Sequence, residues 1–273
     1  MPSPLPSQNS HPQLKAAIHP GPLEEAVLNR DLDTIVHQLR RGASPNHRSK
    51  FFGDLVALAV AMSQPEALRA LLAAGARPDA TSSQGLLALS SAARLGRLDM
   101  TQILVDHGAS FEIDACDASF FPAFEAARYG QADALRMLFE RGARVDIDNH
   151  NGRTPLMVAV QESHADCVRV CLAFGADIDA QDAINGHTPA MLALSSSADT
   201  MLALCEHGFD LSVQGQNGDT VEDRVLRTGS HSRVAFPAIQ LFLAWRLAAA
   251  ETEALAGPAL LLSVSTSQAG LRL

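Results

Sequence analysis

Apolar and polar residues follow one another along this chain in blocks that predict pairs of short helices. The clearest block reads TPLMVAVQESHADCVRVCLAF and covers residues 154–174. Its first apolar cluster, before a polar break at 162–165, is Leu156, Val158, Ala159 and Val160. Its second cluster has apolar side chains at spacings of three and four, the period of one helix face: Cys167, Val168, Val170, Cys171 and Leu172. The block therefore predicts two amphipathic helices joined by a short turn.

The residues around these clusters predict where each helix begins and ends. Thr154 can accept a hydrogen bond from a free N–H group of the first turn, and Pro155 fits the first helical position because no N–H donor is needed there. Gly175 follows the second cluster and can adopt the left-handed conformation that ends a helix. The polar stretch 176–186 predicts an exposed, hairpin-like loop.

The same pattern recurs at a fixed interval. Glycines that follow a second cluster stand at 42, 75, 108, 142, 175 and 208, at spacings of 33, 33, 34, 33 and 33 residues. A fixed period of this length is typical of a solenoid, in which each unit buries its apolar face against its neighbours. The sequence thus predicts a stack of two-helix units.

The repeated unit resembles the ankyrin repeat. The segment GRTPLMVAVQESHADCVRVCLAFGADIDAQD is similar to that family's pattern, which opens with G-x-TPLH-x-A and closes with GADVN. Leu156 and Ala159 match the opening, and Met157 stands where the family usually has histidine. The resemblance covers about residues 21–227. It implies an all-α ankyrin-repeat solenoid of about six to seven repeats, with hairpin loops and a C-terminal capping helix.

Two units depart from the family pattern. The second begins GDLVALAV and the fourth begins FPAFEAA, so both lack the Thr-Pro pair. We expect Asp54 to cap the first helix of the second unit in place of threonine. We also expect packing to hold both units together and their hairpins to be irregular.

Four segments are predicted along the chain. Residues 1–20 predict a disordered arm, residues 21–227 the repeat array, residues 228–254 a capping helix, and residues 255–273 an apolar tail that is either docked or flexible. A terminal repeat must cover the apolar face that no further repeat buries. The large apolar residues expected to do so are Phe236, Leu241, Phe242 and Trp245.

Charge and composition narrow the function. The formal net charge of −9 argues against a nucleic-acid partner, because neutralising phosphates requires surplus basic side chains. The N-terminal stretch lacks the positive start and apolar core of a Sec signal peptide, and no apolar stretch suggests a membrane partner. Four scattered cysteines do not form a disulfide framework. We expect a cytoplasmic protein, or one secreted into a host cell without a Sec signal.

The sequence holds no arrangement typical of an enzyme or a metal site. Motifs for dinucleotide, phosphate-loop, zinc-protease and serine-hydrolase chemistry are absent. Cys167 and Cys171 share a helix face, but no Cys/His pair at zinc spacing follows them, and burial as small apolar residues is favoured. His107 and His207 precede helix-ending glycines and are expected to serve the last helical carbonyls. We predict a non-enzymatic chain without cofactor, metal or catalytic residues.

Protein binding is the function that this pattern favours. The resemblance implies that the hairpin tips and the last turn of each first helix line a concave groove. The repeat register places six residues in it: Arg94, Leu95, Arg128, Tyr129, Gln161 and Glu162. An exposed tyrosine beside arginine is typical of a binding hot spot. The alternative, that Tyr129 packs on a neighbouring unit, has equal weight.

Two predicted hairpin tips add phenylalanine pairs. The tips read HRSKFF, residues 47–52, and DASFF, residues 117–121. Their candidate partner-binding residues are Lys50, Phe51, Phe52 and Phe120, since apolar side chains on polar tips indicate an interaction site. The alternative is that Phe52 and Phe121 fold back to replace the missing Thr-Pro packing.

These features predict a monomer that binds another protein as a scaffold or an inhibitor. An alternative is a bacterial ankyrin-repeat effector that is delivered into a host cell and binds a host protein. That alternative is suggested by the Ser/Pro-rich start and by an excess of arginine over lysine, which is common in GC-rich genomes.

Overall fold

The computed structural model describes residues 21–49, 51–112, 120–231 and 237–256. Within these ranges the chain forms fourteen helices and one two-stranded antiparallel sheet. Contacts divide the chain into two compact units, Met1–Ala92 with Asp99–Ser110, and Ala93–Leu98 with Phe111–Leu273. Both units consist of helix pairs in which a short first helix precedes a longer second helix.

The first unit begins with two complete helix pairs. Its helices are α1 (Pro22–Leu28), α2 (Leu32–Arg40), α3 (Leu55–Ala61) and α4 (Pro65–Ala73), while α5 (Ala88–Arg94) and α6 (Leu98–Asp106) contribute residues to both units. The first helix α1 packs against α3, and the second helix α2 packs against α4. Between α2 and α3, strand β1 (Arg48–Ser49) pairs with β2 (Gly53–Asp54) to form a hairpin.

The second unit continues the same order. Its helices are α7 (Pro122–Arg128), α8 (Ala132–Glu140), α9 (Pro155–Gln161), α10 (Ala165–Ala173), α11 (Pro189–Ala193), α12 (Ala198–His207), α13 (Val221–His231) and α14 (Pro237–Ala256). The first helices pack in the series α7, α9, α11 and α13, and the second helices in the series α8, α10, α12 and α14. Neighbour-to-neighbour packing of this kind is what the 33-residue period predicts.

The predicted start and end of the clearest repeat are confirmed. Thr154 Oγ1 accepts a hydrogen bond from the backbone N–H of Met157 at 3.4 Å, and Pro155 is the first residue of α9. Gly175 has φ +83° after the end of α10. The apolar side chains predicted to share one face of α10 are all buried: Cys167, Val168, Val170, Cys171 and Leu172.

The two histidines next to helix-ending glycines occupy their predicted place. Nδ1 of His107 lies 2.8 Å from the carbonyl oxygen of Ile103, and Nδ1 of His207 lies 2.9 Å from that of Ala203. With its proton on Nδ1, each ring donates to a carbonyl of the last helical turn. These imidazoles therefore satisfy helix carbonyls, as expected.

The capping role predicted for Asp54 is wrong. Asp54 occupies the residue before α3, but its carboxylate accepts no hydrogen bond from that helix. Oδ2 accepts instead from the backbone N–H of Thr81 at 2.8 Å and from Nη1 of Arg48 at 3.2 Å. The carboxylate thus joins the β1–β2 hairpin to the next loop, because a loop N–H and a guanidinium are closer partners than the first turn of α3.

Side-chain oxygens at the repeat interval also join successive loops within each unit. In each case an Asn or Asp accepts a hydrogen bond from a backbone N–H of the following loop, at 2.7–3.0 Å. The acceptor and donor residues are Asn46 and Arg77, Asp79 and Ser110, Asp146 and Asp177, and Asp179 and Asp210. These bonds fix the spacing of the loops without a continuous sheet.

The C-terminal region contains two helices where one capping helix was expected over 228–254. The expected boundary falls inside α13, and α14 begins at Pro237, since proline suits a first helical position and not a helix interior. Phe209 stacks on Trp245 at 5.2 Å and on Phe242 at 6.2 Å, and Phe242 is fully buried.

Three predicted features lie outside the described residues: Phe236, the arm 1–20 and most of the tail. No helix among the described residues has the length and apolar character needed to cross a bilayer.

Candidate protein-binding surface

Six predicted residues occupy two adjacent positions at the ends of three successive first helices. Arg94, Arg128 and Gln161 are the last residues of α5, α7 and α9, and Leu95, Tyr129 and Glu162 directly follow them. All six belong to the second compact unit. We call the surface formed by Arg94, Leu95, Arg128, Tyr129, Gln161 and Glu162 the first-helix surface.

The apolar part of the first-helix surface is open to solvent. Tyr129 is 49% exposed and Leu95 is 44% exposed. The guanidinium carbon of Arg94 lies 5.6 Å from the centre of the Tyr129 ring, a cation–π distance. Tyr129 thus combines features of both predicted alternatives, since its ring is half exposed and one of its faces lies against Arg94 of the preceding repeat.

A buried carboxylate holds Arg128 in place. Glu125, in α7, is only 2% exposed and accepts a hydrogen bond from Nη1 of Arg128 at 2.8 Å. Burial raises the pKa of Glu125, while the positive charges of Arg128 and Arg94 oppose that rise. Glu125 was not among the residues predicted for the surface, although a lone acidic residue in the otherwise apolar run FPAFEAA was a signal that could have revealed it.

The end of α7 is further fixed by an imidazole from the next repeat. Nε2 of His164 lies 3.0 Å from the carbonyl oxygen of Arg128. The ring passes so close to Gly130 that a Cβ atom there would lie 2.7 Å from Nδ1 of His164, and Gly130 has φ +71°. Glycine at this position therefore allows His164 to contact the backbone that carries Arg128 and Tyr129.

The part of the first-helix surface on α9 is polar. Gln161 accepts a hydrogen bond from the guanidinium of Arg153, and Glu162 is exposed. Nε of Arg153 also lies 3.8 Å from Oδ2 of Asp182, a carboxylate with no solvent-exposed side-chain area. This region differs from the Arg94 and Tyr129 region because its charged groups are acidic or already paired.

The hairpin tip of the first unit exposes both of its phenylalanines. Phe51 is 50% exposed and Phe52 is 40% exposed, so Phe52 does not fold back onto the core. The buried Ser49 Oγ accepts from the backbone N–H groups of Phe51 and Phe52 at 3.2 Å each and donates to Glu24 at 2.5 Å. The turn is thus fixed from below while the rings face outward. Lys50 lies outside the described residues.

The second phenylalanine pair is divided between surface and interior. Phe120 is exposed, whereas Phe121 is buried and precedes the first turn of α7. For Phe121 the predicted alternative holds, since its side chain is buried at the position where a Thr-Pro repeat has its threonine. Residues 113–119 of this tip lie outside the described residues.

The described cysteines have the character of small apolar residues. Cys167, Cys171 and Cys205 are free and buried. Burial raises the pKa of Cys167 and of Cys205 to about 12, and it raises that of Cys171 well above the ordinary value. Within the described ranges, no group of three or more His, Cys, Asp or Glu side chains is arranged to hold a metal ion.

His187 belongs to a partly buried charge cluster and not to an exposed surface. Arg224 donates from Nη2 to Nε2 of His187 and from Nε to Oδ2 of Asp219, both at 2.6 Å. Burial lowers the pKa of His187, and the charge of Arg224 lowers it further, so the neutral ring can accept this bond. The cluster joins the loop before α11 to α13 and has a structural role.

Two open depressions lie at the start of the second helices α8 and α10. Their volumes are about 460 and 420 Å³, and Gly130, Asp166 and Arg169 line both. Arg169 Nη1 lies 3.3 Å from the Asp166 carboxylate. Because these charges pair with each other across shallow, polar surfaces, the first-helix surface is the better candidate for recognition.

Comparison with known proteins identifies the family. The family model described as ankyrin repeats (3 copies) matches residues 23–115 and again residues 123–215. The chain belongs to the ankyrin-repeat family. The resemblance drawn from the glycine spacing and the TPL motif is thereby confirmed, as is the all-α ankyrin-repeat fold.

Relatives of this ankyrin-repeat protein agree with that assignment. It is 32% identical to the mouse B-cell lymphoma 3 protein homolog over 164 residues, which are 60% of this chain and 30% of that protein. It is 33% identical to the mouse ankyrin repeat and SAM domain-containing protein 6 over 79 residues, which are 29% of this chain and 9% of that protein. The ankyrin-repeat protein thus spans less than a third of the length of either relative.

Solved ankyrin-repeat domains share the fold. The human ASB11 ankyrin repeat domain superposes with a TM-score of 0.67 at 22% identity, covering 82% of this chain and 97% of that domain. The ankyrin repeat domain of Bcl-3, described as a unique member of the IkappaB protein family, gives a TM-score of 0.66 at 23% identity, covering 82% of this chain and 98% of that domain. At these identities the similarity establishes architecture alone.

Proposed function

We propose that this ankyrin-repeat protein is a non-enzymatic interaction module that binds a partner protein through the first-helix surface. Membership of the ankyrin-repeat family supports a role in protein–protein interaction. In the same compact unit, the exposed Phe120 at a hairpin tip provides further contact area. In this proposal the module acts as a scaffold or inhibitor, without a cofactor.

One observation supports the location of the site. Exposed Tyr129 and Leu95 stand beside arginines that are already held by Glu125 and by the Tyr129 ring. Aromatic residues and arginine are enriched among the residues that dominate binding energy, and side chains ordered before binding lose less entropy on association. Such an arrangement is suited to a protein partner.

The proposal is tested by capturing partners with the full chain from the cells that express it. Wild type, Tyr129→Ala and Leu95→Ala are compared with Leu202→Ala, which removes a partly exposed leucine from α12. We expect Tyr129→Ala to reduce recovery of at least one protein about tenfold, the loss expected when a hot-spot aromatic is removed. Leu95→Ala should reduce recovery of the same protein, and Leu202→Ala should leave it unchanged, all at an unaltered melting temperature. Identical captured proteins in equal amounts for the wild type and all three variants would contradict the proposal.

A further inference from the structure

The guanidinium of Arg94 is held in place without a hydrogen-bond acceptor. It lies over the Tyr129 ring at 5.6 Å, and its charge acts on Glu125. Among the described residues, no oxygen accepts a hydrogen bond from its N–H groups. An arginine guanidinium carries five N–H donors in a planar fork that matches the two oxygens of a carboxylate. Arg94 therefore presents ordered donors at the exposed edge of the first-helix surface.

The charges around Arg94 do not balance. Among the described residues, the carboxylate that interacts with both Arg94 and Arg128 is that of Glu125, which is already bonded to Arg128 at 2.8 Å. Within that part of the chain one positive charge of the three groups is left over, in a protein whose formal net charge is −9. On the next first helix the equivalent residue to Tyr129 is the exposed Glu162, which is negative. The surplus positive charge is thus confined to the Arg94 end of the surface.

We propose that the first-helix surface binds a segment of a partner protein in which an Asp or Glu stands next to a large apolar residue. This inference rests on the proposed function and specifies the chemistry of the partner. The carboxylate accepts hydrogen bonds from Arg94, and the apolar side chain covers Leu95 and the open part of the Tyr129 ring. Both contacts are made by groups that lie together in the structure.

The negative charge of Glu162 determines which end of the bound segment is acidic. A second carboxylate placed over α9 would face the negative charge of Glu162, whereas one placed over α5 meets Arg94. Like charges in close contact disfavour binding, so the acidic residue lies over α5 and the part over α9 is neutral or basic. A nucleic-acid strand is a poorer match, because its repeated phosphates need several basic side chains and meet only one surplus charge.

The experiment selects ligands with the immobilised full chain from a phage-displayed library of random dodecapeptides. We expect the recovered peptides to carry Asp or Glu beside a large apolar residue. Synthetic copies should bind Arg94→Gln about tenfold more weakly than wild type, the loss expected for a charged hydrogen bond. Changing the peptide's acidic residue to its amide should weaken binding to wild type equally, and should have little further effect on Arg94→Gln.

A matched variant separates local contact from net charge. Arg136→Gln removes the same charge from the exposed face of α8 and should bind the peptides as wild type does. If peptide binding depends on Tyr129 but is unchanged in Arg94→Gln, the preference for a carboxylate is wrong. The proposed function would still hold in that case. Recovery of no peptide whose binding depends on Tyr129 or Leu95 would contradict both. Displacement of the peptides by single-stranded oligothymidylate at equal concentration would overturn the inference in favour of a phosphate ligand.

Discussion

The ion pair between Arg128 and Glu125 determines which substitutions can test the surface. Glu125 is buried, so removing Arg128 leaves a carboxylate whose charged form has lost its closest partner. We expect Arg128→Ala to lower the free energy of unfolding by about 1–2 kcal/mol, less than for a fully buried pair because Arg128 is partly exposed and Arg94 still opposes the charge. Urea denaturation measures this loss.

A double-mutant cycle shows whether the loss comes from the carboxylate. In the Glu125→Gln background, Arg128→Ala leaves no buried carboxylate without its partner, so it should cost less than half as much. The same cost in both backgrounds would mean that the arginine stabilises the fold by packing alone. Because Arg128 supports the fold, Tyr129→Ala is the cleaner variant for binding studies.

At the scale of single residues, the sequence predicted where residues lie along the helices better than which side chains they contact. The repeat register placed Arg94, Arg128 and Tyr129 correctly at the ends of first helices, because the period alone determines that position. It did not predict that Glu125 would organise them. Which side chains meet across neighbouring helices depends on packing directions that a linear pattern does not contain.

At the scale of elements, Gly53 is where the β1–β2 hairpin meets the following loop. A Cβ atom at Gly53 would lie 2.4 Å from the carbonyl carbon of Ser82 and 2.5 Å from the carbonyl oxygen of Thr81, and φ at Gly53 is +82°. Neither contact can be relieved by a side-chain movement, since both are with backbone. We expect Gly53→Ala to lower the unfolding free energy by about 3 kcal/mol, from strain and crowding together.

Gly85→Ala is the matched control in the same unit. Gly85 has nearly the same conformation, φ +79°, but no atom lies within 4 Å of its added Cβ. Its substitution should therefore cost only the backbone strain, about 1 kcal/mol. Both losses are read from urea denaturation curves. Equal losses for the two alanine variants would show that the contact between the hairpin and the loop does not constrain Gly53.

Elements were predictable where the pattern repeats and unpredictable where it stops. The helix pairs around Thr154 and Gly175 followed from apolar spacing and caps, which are local properties. Asp54 stood at a capping position, yet its carboxylate bonded to a loop about one repeat away, at Thr81. The division of the C-terminal region into α13 and α14 was also missed, although Pro237 marks it. Past the last repeat no period remained to set helix boundaries.

At the scale of the whole molecule, the energetics of a repeat array follow from neighbour contacts. Each helix pair is stabilised by the pairs on either side of it, and a terminal element has contacts on one side only. Among the described helices, α14 packs chiefly against α12, and its rings of Phe242 and Trp245 stack on Phe209, which follows α12 in the chain. We therefore expect α14 to separate from the array before the interior repeats unfold.

Trp245 allows this to be measured, since it is the single tryptophan of the chain. Its fluorescence reports the packing of α14 on α12, while far-UV circular dichroism reports all the helices together. In urea, the fluorescence midpoint should fall below the circular-dichroism midpoint, and Phe209→Leu should widen the gap by removing the ring that Trp245 stacks on at 5.2 Å. Phe174→Leu, which alters the interior pair of Phe139 and Phe174, should instead lower the circular-dichroism midpoint and narrow the gap. Coincident fluorescence and circular-dichroism midpoints in all three proteins would contradict this expectation. The C-terminal helices would then unfold in one cooperative step with the repeats, and α14 would belong to the same unit of stability as the ankyrin array.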